Sequence, residues 1–212
     1  MKKRILYGVI VLSASFFILS LFFNEADAQA ANVTLSTTVL SYLNFGVTAG
    51  GTVAFGSLTP LTPIAGPATG TVASVTTNSA NGYTIGVSDG IAAANSSLVH
   101  TDTTTYITDA TNSGTLASPA LWVNGTTTGL GITLYAADTS KNTTTWGAGT
   151  TYNDPLNKYA AIPQNATTGY TVTGYHAGAD TSSWAFKLDV PNTQKTGSYS
   201  GTVTFTATAV LS

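Results

Sequence analysis

Residues Phe55–Val87 read FGSLTPLTPIAGPATGTVASVTTNSANGYTIGV. A lead-in rich in glycine and proline ends in a β-like run, Thr71–Thr77. The polar loop Asn78–Gly82 follows, and in Tyr83–Val87 large apolar residues then alternate with small or polar ones. Because Asn and Gly tolerate the positive φ angles of tight turns, this stretch predicts a β-hairpin. The alternating run Gly201–Leu211 is expected to lie beside that hairpin in one sheet.

The same period of two recurs along the rest of the chain. Val33, Leu35, Thr37 and Val39 share one face of a predicted strand, Asn32–Val47. Other strand-like runs are Thr52–Phe55, Leu98–Asp109, Gly129–Ala136, Tyr170–Tyr175 and Trp184–Val190, and Tyr159–Pro163 is a short apolar run. No helical heptad or βαβ rhythm interrupts them. The pattern predicts an all-β fold, an antiparallel β-sandwich with Greek-key or Ig-like connections, formed by residues 31–212 as a single domain.

The N-terminus has the features of a secretory signal peptide. A cationic start, Met1–Arg4, precedes the apolar run Ile5–Phe23. Small residues then offer cleavage sites after Ala28 or Ala30, so residues 1–30 are predicted to be removed. The apolar run is also long enough to act as an uncleaved membrane anchor, which is the alternative. Export places the mature chain outside the cell or at its surface, and the absence of cysteine excludes a lipoprotein anchor and a disulfide framework.

The charge of the mature chain is low. Removing residues 1–30 leaves four Lys and seven Asp, which gives a net charge of 4 − 7 = −3. Charged residues make up 8% of the whole sequence, against roughly 25% in ordinary globular proteins. No basic patch remains, so neither nucleic acid nor, after signal cleavage, a membrane is an expected partner. Thr, Ser, Asn and Gly must therefore solvate the surface, which suits an extracellular β-protein.

Residues for catalysis or metal binding are sparse. Only His100 and His176 offer an imidazole base, and neither has flanking residues that resemble a catalytic motif. The acids of the mature chain are scattered Asp residues without any Glu, which disfavours a glycosidase pair. His100 and Asp102 provide two metal ligands, too few for a site. The sequence therefore predicts a protein that is not an enzyme and has no metal or cofactor.

Aromatic residues are the candidates for carbohydrate contact. Trp146 and Tyr152 lie in loop-like sequence and Tyr159 follows them, while Trp122 and Tyr175 lie elsewhere. Aromatic rings stack on sugars, and binding residues concentrate in loops. The alternative, which the composition favours, is that these rings cover the core of the sandwich.

Three short motifs resemble a group of exported, Thr-rich bacterial surface proteins. They are Phe55–Pro60 (FGSLTP), Asn81–Ile85 (NGYTI) and Lys195–Thr204 (KTGSYSGTVT). The closing segment is similar to the last strand of WxL-type cell-wall-binding domains, although this chain contains no Trp-x-Leu. A fainter likeness is to the TasA/camelysin fibre proteins. The resemblance implies an exported β-sandwich at the cell surface.

These observations favour a secreted, non-catalytic structural protein: a surface-layer, pilus or fibre component, or a wall-associated subunit. Its expected partners are like subunits or cell-wall polysaccharide. Val33, Leu35 and Val39 are candidates for a terminal strand that pairs with the next subunit by β-strand addition. The alternative is that the same run is a strand of its own domain. The alternative function is a carbohydrate-binding or adhesin module.

Overall fold

In a computed structural model of the chain, the structure describes residues 34, 36–91, 93, 95–139 and 141–211. The predicted signal peptide, residues 1–30, lies outside these residues, and so do Val33 and Leu35. Leu40–Ser212 form a compact unit, to which the following description applies. Within the described ranges, no helix has the length and apolarity needed to cross a bilayer.

The described residues form an almost purely β structure, as predicted. The strands are β1 (Leu43–Ala49), β2 (Ile64–Thr77), β3 (Tyr83–Ser88), β4 (Ser96–His100), β5 (Tyr106–Thr108), β6 (Gly114–Thr115), β7 (Ser118–Leu121), β8 (Gly129–Ala137), β9 (Lys158–Ala161), β10 (Thr167–Val172), β11 (Ala179–Asp189), β12 (Tyr199–Ser200) and β13 (Thr204–Ala209), with one short helix, α1 (Thr143–Trp146), between β8 and β9.

These strands form three antiparallel sheets. The largest has seven strands in the order β1-β2-β11-β8-β9-β7-β6. A three-stranded sheet, β10-β3-β13, packs against it, and a second small sheet has the order β12-β4-β5. All the strand ladders are antiparallel, which confirms the predicted sandwich class.

The predicted hairpin at Phe55–Val87 is wrong. β2 pairs with β1 and β11, whereas β3 pairs with β10 and β13 in the other sheet. The turn itself is present: the Gly82 N–H donates to the Ser79 carbonyl at 3.4 Å, and Gly82 has a φ of 84°. The turn therefore carries the chain across the core between sheets. The expected neighbour, Gly201–Leu211, does lie beside β3, with Ala207 opposite Ile85.

β2 begins earlier than its glycines and prolines suggest. Gly66 pairs with Phe186 and Thr71 pairs with Trp184, so four residues of β2 face a single residue of β11. This bulge contains Pro67, which has no N–H to offer a ladder and is tolerated where the ladder lapses.

Among the described residues, one predicted strand is shortened and another is absent. Residues 36–42 lie in no strand, so the strand predicted over Asn32–Val47 is reduced to β1. Thr52–Phe55 also lies in no strand. Leu98–Asp109, by contrast, divides into β4 and β5 around a tight turn. The alternation of apolar and polar residues is present in each case, but a strand also needs a hydrogen-bonding neighbour.

The core lies between the seven-stranded sheet and the β10-β3-β13 sheet. Trp184 of β11 is its largest central side chain and has no solvent exposure. The Trp146 ring meets it edge-on at 5.5 Å between centroids, and the Phe205 ring of β13 packs on it at 5.5 Å. Edge-to-face aromatic pairs of this kind add attraction beyond the burial of area. Trp184 thus links both layers of the sandwich.

Candidate functional site

Trp146, predicted as a sugar-contact residue, lies in the core. The side chain of Asn142 caps α1 by accepting the Thr145 N–H at 3.1 Å, and this single helical turn directs the Trp146 ring inward. The ring is 2% exposed, and its indole N–H donates to the Gly169 carbonyl at 3.2 Å. In this conformation the ring faces are covered by protein.

Tyr159 is also buried, with 1% exposure, on the outer face of the seven-stranded sheet. Its ring is perpendicular to that of Trp122 at 5.5 Å, and the Lys187 ammonium lies 5.4 Å from each ring centroid. Burial raises the pKa of Tyr159 to about 12 and lowers the pKa of Lys187. Tyr152 is half-buried, and its carbonyl accepts the Tyr159 hydroxyl at 3.5 Å. Tyr152 and Tyr159 therefore meet, apart from Trp146.

Trp146 lies where the alternative places it, in the core, whereas Tyr159 is buried on the outer face of the large sheet. Trp146 and Tyr159 have no free ring face for a sugar, Tyr152 and Trp122 are half-buried, and Tyr175 is exposed. The sequence placed Trp146 in a loop because Thr143–Trp146 has no helical periodicity. A one-turn helix with an Asn cap is too short to show any.

His100 is engaged in structural hydrogen bonds. Its Nδ1 accepts the Asp102 N–H at 3.1 Å, and its Nε2 lies 3.2 Å from the Thr196 carbonyl, which assigns the proton to Nε2. The hydrogen bond from the Lys195 ammonium, at 2.7 Å, and that from the Thr105 hydroxyl hold the pKa of the Asp102 carboxyl well below its usual range. Both imidazole nitrogens are thus committed to holding neighbouring backbone.

Two carboxyl groups gather near β4. The register shifts between Ser96 and Leu98, and this bulge turns Ser97 inward to donate its hydroxyl to Asp109. Burial raises the pKa of Asp109 to about 6, and the Asp89 charge adds to that effect. Burial likewise raises the pKa of Asp89. Among the described residues, no group of three or more His, Cys, Asp or Glu side chains converges on a possible metal position.

A groove lined by both apolar and polar residues lies at one side of the sandwich, and we call it the side groove. It comprises a cavity of about 680 Å³ and an adjoining one of about 310 Å³. Val53, Phe55, Leu98 and Gly201 line both parts. Core side chains of β11 form its floor. The smaller cavity reaches the edge strands of the two main sheets through Val47 of β1 and Phe205 of β13, whereas the larger cavity is lined by Leu98 of β4 and Tyr199 of β12.

One wall of the side groove is the segment Thr52–Ser57. Val53 and Phe55 turn inward and pack against the core, while Thr52, Ala54 and Gly56 are exposed. This is the alternation of a β-strand. Within the described residues, however, none of its backbone amides or carbonyls takes part in a hydrogen bond. Sequence reasoning detected the alternation, but no pattern within the segment reveals the missing partner.

The opposite wall is formed by Gln194–Val203. Thr202 and Val203, between β12 and β13, likewise make no hydrogen bond within the described part of the chain. The rest of this wall is firmly held. The Gln194 amide donates to the Tyr106 carbonyl at 3.1 Å and to the Tyr199 hydroxyl at 2.7 Å. The Lys195–Asp102 ion pair and the His100 contact with Thr196 fix the same wall to β4 and the turn after it.

The chain before β1 exposes apolar side chains. Val39 is 78% exposed and Leu40 is 82% exposed. The backbone after them is anchored, because the Asn78 amide donates to the Leu40 carbonyl at 2.8 Å and accepts the Tyr42 N–H at 2.6 Å. Of the candidate assembly residues, only Val39 is among those described.

The chain was compared with known proteins at the level of family, sequence and structure. A scan against protein-family models found no match, and searches of curated proteins and of solved structures found none either.

Proposed function

We propose that this chain is a secreted, non-catalytic structural protein of the cell surface whose copies associate by β-strand addition. It would serve as a surface-layer, pilus or fibre component, or as a wall-associated subunit. The observation that carries the proposal is the side groove, whose wall Thr52–Ser57 has the alternation of a strand but no backbone partner among the described residues. Unpaired strand edges are templates for pairing with another chain.

Composition supports the same function. The Ile5–Phe23 run and the small residues before Ala30 favour export. A mature chain with only four Lys and seven Asp has few charges to keep copies apart. A surface of Thr, Ser, Asn and Gly suits a protein that functions by packing among copies of itself.

The size of the purified mature chain, residues 31–212, tests this function. Sedimentation velocity over a range of concentrations, followed by electron microscopy, should reveal assemblies much larger than one chain. A chain that remains monomeric at every concentration would contradict the structural role.

A monomer that is retained on a column of cell-wall polysaccharide would instead support the carbohydrate-binding alternative. Tyr175, which is exposed, and the half-buried Tyr152 are the predicted aromatic residues still open to a sugar in this structure. Substituting each by Ala should then reduce retention. Retention that does not depend on either side chain would place the sugar contact elsewhere.

A further inference from the structure

We infer that the side groove is an acceptor for one extended strand, and that its occupant is the run Asn32–Val39 of a second copy of this chain. The inference rests on the proposed function and specifies its contact: which surface receives the strand and which segment supplies it.

The groove fits an extended peptide better than other ligands. Both Thr52–Ser57 and Thr202–Val203 present backbone amides and carbonyls without partners among the described residues. An added strand satisfies such groups in a regular ladder, whereas a helix bonds only to itself. Between these walls, Val53, Phe55 and Leu98 offer apolar surface to alternate side chains of the added strand.

The run Asn32–Val39 has the required chemistry. Val33, Leu35, Thr37 and Val39 would face the groove, and Thr34, Ser36 and Thr38 would face solvent. The run carries no charge. The groove lining has a single ionisable cation, Lys195, whose ammonium is already bound to Asp102 at 2.7 Å. Neither partner would therefore bury an unpaired charge.

The anchoring of the chain favours a second copy over the same copy. Leu40 and Tyr42 are held to Asn78, at the end of β1 where Leu43 pairs with Thr77. The part of β1 that lines the side groove is Val47, near the other end of the strand. The residue steps from Leu43 to Val47 separate the Asn78 contact from the groove by roughly 13 Å. Because Val39 directly precedes the anchored Leu40, a groove at that distance favours docking into the next copy, which gives an open head-to-tail chain.

Cross-linking between two full-length mature variants tests the contact directly. Because the chain has no cysteine, one copy carrying Ala54→Cys can be mixed with another carrying Ser36→Cys or Thr38→Cys. These positions would share the solvent face of the added strand pair, where a disulfide can form. We expect a mixed disulfide at roughly tenfold the yield given by a control acceptor, Thr126→Cys in an exposed loop. Yields equal to that control would overturn the inference.

A matched pair of charge variants provides the second test. Leu35→Asp puts a carboxylate on the groove face of the run, and Ser36→Asp puts the same charge on the solvent face. Neither position belongs to the compact unit Leu40–Ser212. Leu35→Asp should reduce assembly and cross-linking by roughly tenfold or more, and Ser36→Asp should leave both nearly unchanged. Equal effects of the two would show that the run does not dock by one face.

The outcomes separate the inference from the proposed function. Large assemblies that persist in the Leu35→Asp variant would refute the docked run and leave the structural function standing. A wild-type chain that never assembles would refute the function. Specific cross-linking in concentrated mixtures of such a chain would still support docking of the run in the groove.

Discussion

The centre of the large sheet and the side groove show the same sequence pattern with different structural outcomes. At the centre, β11 lies between β2 and β8, and Trp184 is enclosed by rings from both layers. Beside the groove, Thr52–Ser57 alternates in the same way, and Val53 and Phe55 also reach the core. Within the part of the chain that the structure describes, the centre has neighbouring strands and Thr52–Ser57 has none. The comparison teaches that alternation makes a segment able to pair, while its neighbours decide whether it does.

Stability should differ in the same way between the two regions. Local opening requires little free energy where backbone hydrogen bonds and buried contacts are few. Four variants test this contrast in stability, and Trp184→Ala should lose the most.

Trp184→Ala should destabilise the protein at the centre of the large sheet. Removing an unexposed indole leaves a cavity between Trp146 and Phe205, and substitutions of this type cost about 3–5 kcal/mol of unfolding free energy. Urea denaturation followed by circular dichroism measures the loss. Trp184→Phe, which refills part of the space, should cost clearly less. A loss below about 1 kcal/mol would show that the centre does not depend on this ring.

Gly82→Ala should disturb the turn that carries the chain between sheets. Gly82 has a φ of 84°, and an added Cβ would lie 2.0 Å from the Val172 carbonyl oxygen. Strain of this kind costs about 1–3 kcal/mol, measurable by the same denaturation. Gly90→Ala is the matched control, because Gly90 also has a positive φ, 67°, but open space around it. Equal losses of stability in the two variants would show that the positive φ angle, and not the contact with Val172, is the cause.

Asp109→Asn should stabilise the protein above pH 6. Burial raises the pKa of Asp109 to about 6 from 3.8, so the folded state holds a proton that the unfolded state releases. Stability therefore falls as the pH rises from about 4 to about 6. Asparagine keeps an acceptor for the Ser97 hydroxyl and has no such titration. Thermal melts from pH 3.5 to 8 should show an advantage that disappears in acid, and an advantage independent of pH would contradict this explanation.

Phe55→Ala should have the smallest effect of the four near neutral pH. Phe55 is partly buried and lines the open groove. The Ala variant therefore loses less buried apolar surface than Trp184→Ala does, and its free energy of unfolding should fall by about 1 kcal/mol. Parallel urea titrations of the two Ala variants make the comparison. If Phe55→Ala lowers the free energy of unfolding as much as Trp184→Ala does, the groove wall contributes as much to stability as the centre, and the contrast is wrong.

Much of the strand content follows from residue alternation. Gly129–Ala136, Tyr170–Tyr175 and Trp184–Val190 were each identified from apolar residues two apart, and each overlaps a strand, namely β8, β10 and β11. The apolar faces of these strands pack in the core, so the local sequence pattern and the tertiary packing favour the same structure.

Strand partners were harder to predict. The Asn78–Gly82 turn was located correctly from Asn and Gly chemistry, but the strands on either side bind partners such as Ala179–Trp184 that lie far along the chain. Turn chemistry is local, whereas sheet choice depends on which faces bury the most apolar surface together. The side groove could not be predicted from the sequence for a related reason. No residue type marks a backbone that lacks a neighbour.

The antiparallel pairing of β2 with β11 also sets the order in which this protein can acquire its structure. Thr76 pairs with Ala179, so a chain growing from its N-terminus completes β2 long before its partner exists. Until then β1 and β2 form at most an isolated pair, which is barely stable in water. Closing so long a loop makes folding slow. During synthesis, β2 therefore remains an open edge exposed to misassociation until β11 emerges.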